Sequence, residues 1–344
     1  MYLKKWCQNA RNIALAQSVM PALLAVALAW ERAGFRWYCA LLAVVGVAFA
    51  HLAMNLADDY FDYKVDMLGD RDRVIRKGFR AMTVKYPYLV DGSETMKSTA
   101  KAIAMFVVIA VCCGVIIFAD RLDDSPMWGS QGLWWMPAIV LVCAFLGVFY
   151  SAPPLKLAYR GLGEIVIGII FGPLLMMGVY YASCAEMSAG VVLVSIPVGL
   201  LVLNILFTHS FIDMPGDKES NKMTLARLVG STKANLALSA VFIFVPFVFV
   251  VAGVVFKELS PLYLIVLFVL PRGVWLFRSL VEFSRGSVAH MGRPPFWLGP
   301  MGDWESYRDK GIDWFLGRWL CSRNLLSGFC LLMGLAAIVV KIFA

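Results

Sequence analysis

The chain has 344 residues, 60% of them hydrophobic and only 16% charged, and a net charge of +8. A soluble domain carries roughly a quarter charged residues, so this composition excludes an ordinary water-soluble fold. The basic excess follows the ends of apolar runs, which marks membrane topology and lipid contact and gives no nucleic-acid signature.

Nine apolar runs follow one another near 12–31, 36–57, 98–119, 131–150, 162–184, 189–212, 234–256, 261–282 and 322–343. Each is close to the ~20 residues that cross a bilayer core. Only helices satisfy their own backbone polar groups in such a run. The predicted fold is therefore all-α: a polytopic membrane protein with nine transmembrane helices around a central cavity, read as a single domain over 1–344. The first run follows Lys4, Lys5 and Arg11, but it is too long for the apolar core of a signal peptide and reads as a retained helix. The eight cysteines form no C-x-x-C pair, so they read as small hydrophobes.

With nine helices, every Lys and Arg except Arg32, Arg36, Arg121, Lys257 and Lys341 falls on the side of the N-terminus. The positive-inside rule places that side, and the long loops that carry the polar residues, in the cytoplasm. The expected location is a bacterial inner membrane.

The second run ends in "NLADDYFDYKVD". On a helix Asn55, Asp59, Asp62 and Asp66 share one face, and Asp58 stands one position off it. Like charges at this spacing repel, so a compensating cation is expected. Oxygen ligands without Cys or His suit Mg²⁺, which binds a few carboxylates together with substrate phosphates.

The sixth run ends similarly, in "HSFIDMPGDKES". Asp213 and Asp217 lie four apart, and Pro215-Gly216 is expected to break the helix between them. Lys218 and Lys222 follow, as suits a metal–diphosphate whose outer oxygens need donors. One acidic helix end alone reads equally well as solvated surface. Two, each closing a long apolar helix, point to a shared metal site, because polar groups at membrane depth are costly and line cavities.

Between the two clusters, "YSAPPLKLAYRGLGE" carries Lys156, Arg160 and Glu164 on a turn-rich loop. Arg272, in the middle of the eighth run, needs either an acidic partner or a ligand. His51 reads as a packing hydrogen bonder. Residues 283–321, with Trp297, Trp304, Trp314 and Phe315 among charges, read as a cytoplasmic or interfacial insert before the last helix.

These residues resemble the UbiA superfamily of intramembrane prenyltransferases. The Asn55–Asp66 stretch is similar to the first aspartate motif of that family, with Asp58 at a position usually held by Asn. "DMPGDKESNKMTLARLVG" is similar to the second, and "RNIALAQSVMP" to the first-helix pattern. "YSAPPLKLAYRGLGEIVIGIIFGPLLMMGVYY" looks like the matching stretch of the 1,4-dihydroxy-2-naphthoate polyprenyltransferases of menaquinone synthesis. The likeness covers about 11–282, and His209-Ser210-Phe211-Ile212 departs from the family's usual N-N-x-x.

The resemblance implies transfer of a polyprenyl chain from polyprenyl diphosphate to an aromatic acceptor, 1,4-dihydroxy-2-naphthoate first and 4-hydroxybenzoate or another aromatic as the alternative. It implies Mg²⁺ on Asp58, Asp59, Asp62, Asp66, Asp213 and Asp217, the last five as catalytic residues. Arg11, Asn55, Tyr150, Lys156, Arg160, Lys218 and Lys222 are then the substrate-binding candidates. A membrane transporter remains the non-enzymatic alternative. The CDP-alcohol phosphotransferases are disfavoured, since Asp91-Gly92 lacks their motif.

Overall fold

The computed structural model describes residues 2–66, 86–123, 125–219, 222–286 and 291–343, without the side chains of Val65, Asp66 and Glu219. The loop from Asp70 to Tyr88, longer and more basic than the family resemblance leads one to expect, lies almost wholly outside the described residues.

The helices are α1 (Tyr2–Asn9), α2 (Ala16–Ala29), α3 (Trp37–Asp66), α4 (Pro87–Val90), α5 (Met96–Arg121), α6 (Trp135–Ser151) and α7 (Gly163–Cys184). They continue with α8 (Ala189–Ile212), α9 (Met214–Glu219), α10 (Leu225–Val229), α11 (Thr232–Val255), α12 (Pro261–Ser284), α13 (Trp304–Asp309) and α14 (Asp313–Phe343). Among the described residues, eight helical stretches are long and apolar enough to cross a membrane: α2 with the turn before it, α3, α5, α7, α8, α11, α12 and α14. The ninth apolar helix, α6, has 17 residues, at the short end of what spans ~30 Å of hydrocarbon. This is an integral membrane protein.

Local chemistry sets the helix starts. Thr95 and Ser98 form a reciprocal cap at α5. Ser231 caps α11, and Ser260 with Pro261 opens α12, where the missing proline N–H leaves no orphan donor. α12 begins as a tight 3₁₀ stretch, Pro261–Val269, and relaxes to α-helix at Leu270, just before Pro271.

The chain forms two compact units and passes between them after Leu157, inside α7 at the π-helical turn Ile170–Leu174 that contains Pro173, and inside α8 after Ser195. Unit 1 comprises Met1–Leu157 and Pro173–Ser195. Its densest pairing is α3 against α5, and Trp6, Leu56, Tyr88 and Phe106 share one buried cluster there. Arg121, 1% exposed, donates to the carbonyls of Gly34, Ala182 and Ser183. His51 meets the Ser18 hydroxyl at 2.7 Å, the packing role expected of it.

Unit 2 comprises Ala158–Gly172 and Ile196–Ala344. α14 packs against the 3₁₀ part of α12, and a buried Asn204–Ser322 hydrogen bond of 2.8 Å joins α8 to α14. Among the described residues Arg272 meets no acid: it donates to the carbonyls of Trp297 and Asn324.

Two expectations need correction here. Residues 313–321, read as part of the insert, are the first turns of α14. Arg318 did not end the apolar run because it is buried and donates to the carbonyls of Ser279 and Trp314. The helix break in the second acidic cluster falls at Asp213, not between Asp213 and Asp217. Pro215 is the second residue of α9, a position that tolerates proline.

Candidate active site

Asp58, Asp59 and Asp62 lie near the end of α3, with Asp66 as its last residue. Asp59 and Asp62 are each 1% exposed, while Asp58 is half-buried and accepts a hydrogen bond from Ser151 Oγ. The single-face spacing thus buries the two acids it should bury and leaves Asp58 turned toward α6. The Asp66 side chain lies outside the described residues.

The cation that the spacing called for comes partly from the chain itself. Arg11 adopts a left-handed backbone (φ 57°) at the start of the turn Asn12–Leu15. Its Nη1 lies 3.0 Å from Asp59 Oδ1 and its Nη2 3.5 Å from Asp58 Oδ2. Nη2 also donates to the Asn55 carbonyl at 3.2 Å. Burial works against the charge on Arg11, but Asp59 and Asp58 outweigh it and hold its pKa above the ordinary arginine value.

Asn55 gives its amide to the Ala10 carbonyl at 2.9 Å, so its side chain fastens the α1 turn to α3. Tyr88, from the short α4, donates its hydroxyl to Asp59 Oδ2 at 3.0 Å. Burial, and then the neighbouring Asp59, raise the Tyr88 pKa, so the hydroxyl stays a donor. Nothing in the local sequence marks Tyr88; its partner lies 29 residues away.

In unit 2, Asp213, Asp217 and Lys222 are 6%, 3% and 8% exposed. The backbone keeps helical spacing through the break, with Asp213 N–H on the His209 carbonyl and Asp217 N–H on the Asp213 carbonyl. Gly216 leaves room for the Asp213 carboxylate, whose Oδ1 would stand 2.7 Å from a Cβ there and would have to move. The backbone N–H of Lys222 returns to the Asp217 carbonyl at 2.9 Å. Arg227 donates to the carbonyls of both Asp217 and Lys222.

The turn-rich loop ahead of α7 braces this cluster. Gly161 N–H donates to the Met223 carbonyl at 2.6 Å, beside a parallel backbone bridge between Arg160 and Met223. Lys222 Nζ stands 5.6 Å from the Tyr159 ring centre. Glu164 accepts from Ser210 Oγ at 2.7 Å and from the Leu225 N–H. One buried carboxylate therefore ties α7 to α8 and to the start of α10. The sequence displayed Glu164 without a role; a lone acid in the first turn of an apolar helix was its only signal.

Lys218 and Arg160 are exposed, and Lys156 is half-buried with a left-handed backbone (φ 45°). Tyr150 is half-buried in the last turn of α6. Thus unit 1 gathers Arg11, Asn55, Asp58 and Asp59, and unit 2 gathers Asp213, Asp217 and Lys222.

Among the described residues, no group of three or more His, Cys, Asp or Glu side chains could hold a metal ion by itself. Buried pairs of carboxylates without Cys or His suit Mg²⁺, which completes its shell with substrate oxygens and water. The donor chemistry of both clusters fits that ion.

The sequence profile of the UbiA prenyltransferase family matches residues 18–290, a stretch that contains both acidic clusters. The 1,4-dihydroxy-2-naphthoate octaprenyltransferase of Bacillus subtilis is 26% identical over 280 residues, covering 80% of this chain and 81% of that protein. A solved digeranylgeranylglyceryl phosphate synthase shares the fold at a TM-score of 0.58 and 15% identity, covering 98% of this chain and all of that one. A UbiA homologue from Archaeoglobus fulgidus, solved with GPP and Mg²⁺, matches at 0.56 and 15% identity, covering 97% and 99%.

Proposed function

The chain belongs to the UbiA prenyltransferase family, and from that premise we propose that it transfers a polyprenyl chain from polyprenyl diphosphate to 1,4-dihydroxy-2-naphthoate. The observation that carries the reading is the family match spanning two clusters of buried acids, one with Arg11 3.0 Å from Asp59 and one with the backbone N–H of buried Lys222 on the Asp217 carbonyl. The name of the Bacillus relative supports the acceptor. The basic loops support a cytoplasmic face of a bacterial inner membrane for the chemistry.

In this reading Asp58, Asp59, Asp62 and Asp66 would hold Mg²⁺ in unit 1, and Asp213 and Asp217 would do so in unit 2. When bound, that ion supplies positive charge against the diphosphate as the allylic C–O bond breaks. Lys222, Arg160, Lys218 and Lys156 take the remaining diphosphate oxygens: lysines as point charges, Arg160 by a fork of two donors. Arg11 holds Asp58 and Asp59 in place and offsets their repulsion. The apolar helices keep water from the allylic carbon, which would otherwise be hydrolysed. The bonding pair of the broken C–O bond leaves with diphosphate. The new C–C bond forms to the naphthalene ring, and loss of the ring carboxylate as CO₂ restores aromaticity.

The test is a reaction of the purified protein with Mg²⁺, labelled polyprenyl diphosphate and a panel of aromatic acceptors. Labelled lipid should appear with 1,4-dihydroxy-2-naphthoate. Product with 4-hydroxybenzoate alone would replace the acceptor, and product with none would overturn the reading.

Tyr88 should matter through Asp59. Tyr88→Phe removes the hydroxyl and keeps the ring in its cluster, so the metal-free protein should lose only the ~1–3 kcal/mol of one buried hydrogen bond and still fold. The Mg²⁺ concentration for half-maximal rate should rise about tenfold, the scale of losing a group that orients a ligand. A metal titration of the rate checks this.

A further inference from the structure

In unit 2, α12 forms an open groove of about 470 Å³ with the segment around Trp297, lined by none of the acids of the candidate site. Leu267, Leu270, Val274, Trp275 and Arg278 line it from α12, and Trp297 from the segment ahead of α13. Those α12 residues recur at three- and four-residue steps, so they make one stripe along the helix. The stripe is apolar for most of its length and ends in a guanidinium. At ~1.5 Å per residue it runs on the order of 16 Å. Its apolar end belongs to a lipid-facing surface, where Phe268 is 82% exposed.

The groove wall is built. Arg272 donates to the Trp297 carbonyl, Asn324 to the carbonyls of Leu298 and Pro300, and Arg323 to Pro300. Gly299, at φ 90°, lets the turn lie against Asn324, whose side chain would stand 3.1 Å from a Cβ there. Three polar side chains of α12 and α14 thus hold Trp297 in place beside Arg278.

What lines the polar end is all donor. The Arg278 guanidinium and the indole N–H groups of Trp275 and Trp297 make no hydrogen bond or ion pair among the described residues. Donors without acceptors call for a ligand rich in acceptor oxygens. An apolar stripe leading away from them calls for that ligand to carry an acyl chain. Tryptophan at both edges matches the headgroup level of a bilayer, and arginine matches a phosphate.

We propose that this groove binds the anionic headgroup of a membrane phospholipid, with its phosphate on Arg278 between Trp275 and Trp297 and an acyl chain along Leu267, Leu270 and Val274. The site is independent of the catalytic reading. It would give an otherwise lipid-immersed helix a fixed lipid neighbour.

Native mass spectrometry of the full chain in detergent tests it, with phosphatidylglycerol or phosphatidylcholine of identical acyl chains added at equal concentration. The native protein should retain phosphatidylglycerol about fivefold better, the scale of one basic residue at an anionic membrane surface. Arg278→Gln should lose that preference and Arg278→Lys should keep part of it. Arg278 is exposed, so melting temperatures should stay equal across the three. Inorganic phosphate at millimolar concentration should not displace the lipid. Equal retention of both lipids by the native protein, an unchanged preference in Arg278→Gln, or displacement by phosphate alone would each overturn the proposal.

Discussion

Replacing Asp62 by asparagine should lower prenyl transfer by roughly 10²–10³-fold, the cost of losing one preorganised charge at the reacting centre. Asp62 is 1% exposed on α3, one turn beyond Asp59 and Asp58. Asparagine keeps the shape and removes the charge, so packing is spared. The metal-free variant should still fold, because asparagine fills the space of aspartate. Loss of activity with a retained fold separates a metal-binding role from a structural one. The measurement is kcat across a Mg²⁺ titration beside a thermal melt in detergent with EDTA. Native-like kcat at native-like Mg²⁺ would remove Asp62 from the site.

The second large effect concerns Arg11 and has the opposite signature. Arg11→Gln leaves Asp59, whose side chain is 2% exposed, without the guanidinium that now stands 3.0 Å away. Breaking a buried pair on one side costs ~3–5 kcal/mol. Arg11 is 38% exposed, so solvent screening reduces this to about 1–3 kcal/mol. The metal-free variant should therefore melt below the native protein, and Mg²⁺ should raise its melting temperature more than it raises that of the native chain. The ion would take over the neutralisation of Asp58 and Asp59. Melts with EDTA and with millimolar Mg²⁺ check this, and a Mg²⁺ response equal to the native one would refute it. Asp62→Asn and Arg11→Gln thus divide the same cluster into charge that serves chemistry and charge that serves the resting fold.

Much of this was legible before any coordinates, for reasons that are local. Hydropathy runs of about twenty residues impose helices because a bilayer offers the backbone no alternative partner. The three- and four-residue steps among Asn55, Asp59 and Asp62 impose one face, and the buried positions of Asp59 and Asp62 follow from it. The second cluster was legible for the same reason, and only its break point was misplaced. Proline disrupts a helix it sits inside, yet Pro215 sits at the start of a new one. The 283–321 insert ends earlier than its charges suggest, because Arg318 looks like a loop charge while carbonyls of α12 and of its own helix satisfy it.

The sequence by itself determined the helical membrane fold, the family and which acids share a helix face, because these depend on composition and on spacing along a single helix. Only the tertiary structure decided what holds those acids. Arg11 on Asp58 and Asp59, Tyr88 on Asp59, Glu164 on Ser210 and Leu225, and Trp297 beside Arg278 all join distant parts of the chain. No periodicity encodes such pairs. They exist because buried charges and orphan carbonyls must find partners wherever packing brings one within reach.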